Sequence, residues 1–120
     1  MGKTLIKISV IYFAVGVSFG LYMSATHLFE LATVHVHLNL LGWVSLAIAG
    51  IFYVIFPNLA RTKLAHIHFW LHNIGLPIMM LGIAFAILGG GSFLFAVATL
   101  GGLITVIGIF CFAINVATNI

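Results

Sequence analysis

His35 and His37 stand two residues apart in "TVHVHLNLLGWV", residues 33 to 44, at the mouth of a long apolar run in a chain with almost no charge. Imidazole suits two kinds of chemistry in such a place: proton exchange near neutral pH, and ligation of haem iron or copper through a neutral ring nitrogen. A helix turns by about 100° per residue, so residues two apart point roughly 200° away from each other. His35 and His37 therefore face opposite sides of one helix and cannot bind the same metal together. The spacing asks for two sites, one on each side, with Asn39 and Gly42 on the side of His35.

A second pair, His66 and His68 in "LAHIHFWLHN", is divided in the same way, whereas His68 and His72, four apart, share a face. All the histidines except His27 lie inside or at the ends of apolar runs, where ionisable groups are rare and turn toward the bundle interior. Two imidazoles on opposite faces each need a partner to offset desolvation, which makes His35 and His37 the leading metal-ligand candidates, followed by His72 and then His27 and His68. Plainer readings exist for the others. His66 and His68 serve as interfacial anchors with Phe69 and Trp70, His72 with Asn73 as an interhelical hydrogen bond, and His27 with Glu30 as a loop pair.

The elements that position these residues follow from composition. Of 120 residues, 64% are hydrophobic and 4% charged, against about 25% charged in soluble domains. The expected fold is an all-α membrane protein, a four-transmembrane-helix bundle forming one domain over 1–120. Its spans lie at about 4–25, 33–56, 65–88 and 92–118, each near the ~20 residues that cross ~30 Å of hydrocarbon. The first run outlasts the ~7 to 15 residues of a signal core and is read as a retained helix. Lys3, Lys7, Arg61 and Lys63 all fall on one side of the four spans, so the positive-inside rule gives an N-in, C-in topology with Glu30 outside. These charges report topology and leave no nucleic-acid footprint. Cys111 is alone inside the fourth run, so no intrachain disulfide forms. The expected location is the inner membrane of a bacterium or archaeon.

Short connections, "ATHLFELA", "PNLARTKLA" and "GGGS", make neighbouring helices antiparallel and the bundle compact. Small residues Gly16, Gly20 and Ser24 mark a packing stripe on the first span. Gly42, Ser45 and Ala49 mark another on the second, which serves packing and a flat cofactor equally well. Pro77 is expected to bend the third span. Counting depth at ~1.5 Å per residue separates His37 from His72 by about 14 Å in a ~30 Å core. One iron is thus not joined to both within a chain, and the partner of His35 or His37 is His27 or the second helix of another copy, the latter being preferred.

The segments "HVHLNLLGWVSLAIAGIFYVIFP" and "LAHIHFWLHNIGLPIMMLG", residues 33 to 83, resemble transmembrane stretches of subunit I of the haem-copper oxidase superfamily, in particular its cbb3-type and nitric oxide reductase branches. That subunit is built of three four-helix arcs in approximate threefold symmetry, with a His-x-His helix that ligates different haems from its two sides. The resemblance implies a single arc here, with His35 and His37 as the matching pair and three copies closing a ring. No His-His dipeptide occurs, and the second span lacks a tyrosine one turn from a histidine. With histidine at both axial positions of the iron, electron transfer, haem storage or sensing is favoured over oxygen reduction, and whether the protein is an enzyme, then a respiratory-type oxidoreductase, stays open.

The leading expectation is a haem-binding membrane protein with b-type haem shared in a homotrimer. Asn39 stands behind a ligand, Gly42 at a close approach, and Trp43 and Phe69 as cofactor walls or electron-path aromatics; the redox partner is not specified. The alternatives are a membrane copper protein using His27, His35, His66, His68, His72 and Met23, Met79 or Met80, and an accessory subunit of a respiratory complex whose histidines only pack.

Overall fold

The structure, a computed structural model, describes residues 1–120 and is all-helical. Helix α1 (Gly2–Thr26) ends at His27, whose φ of 56° places it in the left-handed region that stops a helix. Helix α2 (Ala32–Ile55) is α-helical to His37, runs as a π-helix over Leu38–Ser45, and returns to α from Leu46. The short α3 (Pro57–Ala60) begins on Pro57, whose missing N–H is no loss at a first helical position. Helix α4 (Lys63–Ile87) is capped by Thr62, whose Oγ1 accepts the Ala65 N–H at 3.0 Å, and it runs unbroken through Pro77. It closes with Gly89 at φ 92° and the Gly90 N–H on the Phe85 carbonyl at 2.8 Å, a turn that only glycine makes without strain. Helix α5 (Phe93–Asn119) completes the chain.

Helices α1, α2, α4 and α5 have 25, 24, 25 and 27 residues and are long and apolar enough to cross a membrane. Their bounds agree with the expected spans to within a few residues. In lipid, hydroxyls inside a span need partners within it. Ser18, Thr99 and Thr105 accordingly donate to the carbonyl four residues earlier, at 2.7, 2.9 and 2.8 Å.

The expected compact bundle is flatter than anticipated: the molecule measures 45 × 30 × 18 Å. The reason is its pairing. Helices α1 and α2 form one closely packed hairpin and α4 and α5 another, and the hairpins meet mainly along a narrower seam between α2 and α4. In the second hairpin the backbones nearly touch: a Cβ on Gly75 would meet the Thr105 N at 2.7 Å and the Gly101 carbonyl at 2.8 Å. Lipid offers no hydrophobic drive between helices, so such close approach is what holds them together. At the end carrying Lys3, Lys7, Arg61 and Lys63, amides tie α5 to the α2–α4 connection. Asn115 donates to the Leu59 carbonyl at 3.0 Å, and Asn58 to that of Asn119 at 2.5 Å.

Candidate functional site

His35 and His37 leave α2 on different sides, as their spacing requires. The Nδ1 of His35 lies 2.8 Å from the Gly16 carbonyl of α1, and the Nδ1 of His37 lies 2.7 Å from the Thr33 carbonyl of its own helix. A carbonyl only accepts, so the ring nitrogen is the donor in both bonds and each proton sits on Nδ1. No hydrogen bond engages either Nε2, so each ring keeps an unshared lone pair there, that of His35 on the edge packed against Gly20 of α1. Asn39 stands behind His35, its Nδ2 donating to the His35 carbonyl at 3.0 Å and lying 3.2 Å from Nδ1. His66 makes the same bond to its own helix, Nδ1 to the Thr62 carbonyl at 2.9 Å, but on an exposed ring beside the basic end. The His35 bond differs by crossing to another helix, which fixes the plane of the ring.

The face of α2 that carries His35 is covered by α1. A Cβ on Gly16 would meet the Asn39 side chain at 2.8 Å, one on Gly20 the His35 Cε1 at 2.9 Å, and one on Gly42 the Tyr12 ring at 2.6 Å. Of the two readings of Gly42, packing and a flat cofactor, the structure displays packing, with Tyr12 in that place. The stripe on α1 does not simply meet the stripe on α2, since Gly16 and Gly20 receive the polar side chains Asn39 and His35. Trp43 stacks on Phe13 of α1 at 3.8 Å, and Phe69 packs against the core around Leu46 and Tyr53.

The structure brings His68 and His72 together and adds a residue that sequence spacing missed. Tyr53 Oη lies 3.0 Å from His68 Nδ1, His68 Nε2 lies 3.2 Å from His72 Nδ1, and His72 Nε2 lies 3.0 Å from the Leu41 carbonyl. Both imidazoles are 1% exposed. Direction follows from the end: the Leu41 carbonyl forces His72 Nε2 to donate, a neutral His72 then accepts at Nδ1 from His68 Nε2, and His68 accepts at Nδ1 from the Tyr53 hydroxyl. Every ring nitrogen is engaged. A metal on His72 would have to displace one of these bonds, so the interhelical-link reading describes His72 as it stands, with Leu41 as the partner and not Asn73, whose Nδ2 donates to the Phe69 carbonyl at 2.7 Å. Tyr53 was out of reach of motif reading because it lies on another helix, 15 residues before His68.

A cavity of about 170 Å³ opens beside this chain, lined by Ser45, Ile48, His68, His72, Ile109 and Phe112. The wider groove of about 550 Å³ lies along α1 between Ala14 and Tyr22 and carries no imidazole. His27 is exposed in the loop after α1, its ring 6.5 Å from that of Phe29. No three of the His, Cys, Asp and Glu side chains gather into a group able to hold a metal ion within the chain. The histidine set of the copper alternative is therefore not assembled in one place, and Met79 and Met80 pack with Val34, Leu38 and Leu76 instead.

Compared with known protein families, characterised proteins and solved structures, the chain matches none.

Proposed function

We propose that this integral membrane protein binds b-type haem through His35 and His37, each giving Nε2 to a different iron, and that the second axial ligand of each haem comes from another copy of the chain. One observation carries the reading: both imidazoles are held from behind by a carbonyl on Nδ1, leaving Nε2 without a hydrogen bond, on opposite sides of one transmembrane helix. That is how metal-ligating histidines are oriented. The donor set fits haem, since two neutral imidazoles occupy its axial positions and need no third protein ligand. Bound haem supplies a one-electron iron centre. The chain's own residues set the ring planes through Gly16 and Thr33 and place Asn39 beside His35.

The resemblance of residues 33 to 83 to subunit I of the haem-copper oxidases supports the same reading. A flattened four-helix unit suits a trimeric ring in which each copy stands as one arc. The four basic residues on one end favour an N-in, C-in orientation in the inner membrane of a bacterium or archaeon. With both axial positions taken by histidine, electron transfer, haem storage or sensing is the role.

An absorption spectrum of the detergent-purified protein, expressed with haem supplied and recorded oxidised and then dithionite-reduced, tests the proposal. A sharp reduced α band with a strong Soret supports it. A colourless protein that stays colourless after haem reconstitution overturns it.

A further inference from the structure

The π-helical stretch of α2 lies between two sets of contacts. On the α1 side it presents Asn39 to Gly16 and Gly42 to Tyr12, with His35 one turn earlier against Gly16 and Gly20. On the α4 side the Leu41 carbonyl accepts from His72 Nε2 at 3.0 Å, and the preceding carbonyl, that of Leu40, accepts the Ser45 hydroxyl at 2.8 Å. Two successive carbonyls of the wide turn thus carry side-chain donors.

A π turn pairs each carbonyl with the N–H five residues on, and it is rare because the α alternative is ordinarily preferred. Where a helix departs from the α ladder, an inserted side chain is a recognised cause. His72 is well placed to be that group. It is 1% exposed, and its ring is fixed from the far side by His68, which is fixed in turn by Tyr53. Beyond the π stretch, the inner half of α2 is anchored independently: Gly50 lies against Gly2 and Ile6 of α1. A change in winding between residues 38 and 45 therefore turns the outer end of α2, which carries His35 and His37, against a fixed inner end.

We infer that His72 is a positioning residue for His35. By donating to the Leu41 carbonyl it holds α2 in the wide turn, and that turn sets the rotation at which His35 meets the Gly16 carbonyl. The functional meaning rests on His35 being a haem ligand, but the coupling is a property of the haem-free protein and is measured without haem.

The experiment is solid-state NMR of the full chain in lipid bilayers without haem, with ¹⁵N-labelled histidine and ¹³C-labelled backbone, on wild type, His72→Leu, His72→Asn and His72→Gln. The Leu side chain has no donor, the Asn amide is too short to reach Leu41, and the Gln amide carries an N–H to about the position of Nε2. Expected for Leu and Asn are a move of the residue 38–45 backbone shifts toward ordinary α values and loss of the single Nδ1–H signature of His35; Gln retains both. If His72→Leu does not accumulate, His72→Asn decides. Unchanged His35 and residue 38–45 signals in the donor-less variants overturn the inference, as does failure of Gln to differ from Asn. With haem added, the Leu and Asn variants bind about ten- to a hundredfold more weakly than wild type and Gln, the range seen when a group supporting a ligand is lost. If the wild type takes up no haem, the ligand reading fails while the NMR comparison still decides the coupling.

Discussion

The imidazole of His35 occupies the space that Gly20 leaves by having no side chain: a Cβ on Gly20 would stand 2.9 Å from His35 Cε1 and 3.4 Å from Nε2. Glycine at this position is thus matched to a ring on the neighbouring helix. Gly20→Ala should push the ring off the Gly16 carbonyl and cost about 1–2 kcal/mol of stability, as overpacking does. In a His35→Ala background the same change should cost much less. A double-mutant cycle of unfolding free energies checks this, and additive costs would show that the ring and the glycine are not coupled.

Glycines of the second hairpin differ in what a methyl group would meet. On Gly101 it would strike the backbone of Met79 and the Gly75 carbonyl, whereas on Gly102 it would meet only the Met79 side chain, with Sδ nearest at 3.3 Å. Backbone cannot step aside, and a thioether can. Gly101→Ala is therefore expected to cost about 2–3 kcal/mol or to prevent accumulation, and Gly102→Ala under about 1 kcal/mol. Denaturation of the two purified variants in matched detergent would rank them, and equal losses would contradict the packing described for α4 and α5.

Tyr53→Phe removes the hydroxyl that donates to His68 Nδ1 at 3.0 Å in a buried place and leaves that acceptor without a partner. The expected loss is about 1–3 kcal/mol. The tautomers of His68 and His72 should not change, because they are set from the Leu41 end. Nitrogen-15 spectra of labelled histidine report both rings, and a His68 that moves its proton to Nδ1 would refute the assigned direction.

Replacing His35 or His37 singly with Ala should abolish the six-coordinate haem spectrum in a homo-oligomer, since every haem loses one ligand. His66→Ala, on an exposed ring, should leave it intact. Co-expression of the two single variants should restore part of the spectrum, at sites where the surviving ligands of two copies meet. A normal spectrum in either single variant would exclude ligation shared between copies.

The four spans were legible because a run of apolar residues of membrane length has one stable conformation in lipid, and their ends are marked by Thr62, Pro57 and the glycines after Leu88. The opposed directions of His35 and His37 and the common face of His68 and His72 followed from helical rotation alone. The π stretch did not, because "LNLLGWVS" differs in no visible way from an α-helical sequence and the Leu41–His72 bond spans 31 residues. For the same reason Gly42 was readable as a small residue, but not as the seat of Tyr12. The close packing of the second hairpin rests on Gly75 and Gly82 in one helix and Gly101 and Gly108 in the other, and spacing alone does not reveal which glycines face a neighbouring backbone.

The hydrogen bonds from Tyr53 through His68 and His72 to Leu41 all run the same way, and their last acceptor has no proton to return. Two neighbouring imidazoles commonly have two arrangements of equal merit, which interconvert as their protons exchange. Here only one exists. The small dipoles of a hydroxyl and two rings are consequently aligned and cannot average out by inverting, so the hairpin seam carries a standing electrical polarity inside the low-dielectric layer, fixed when the chain folds.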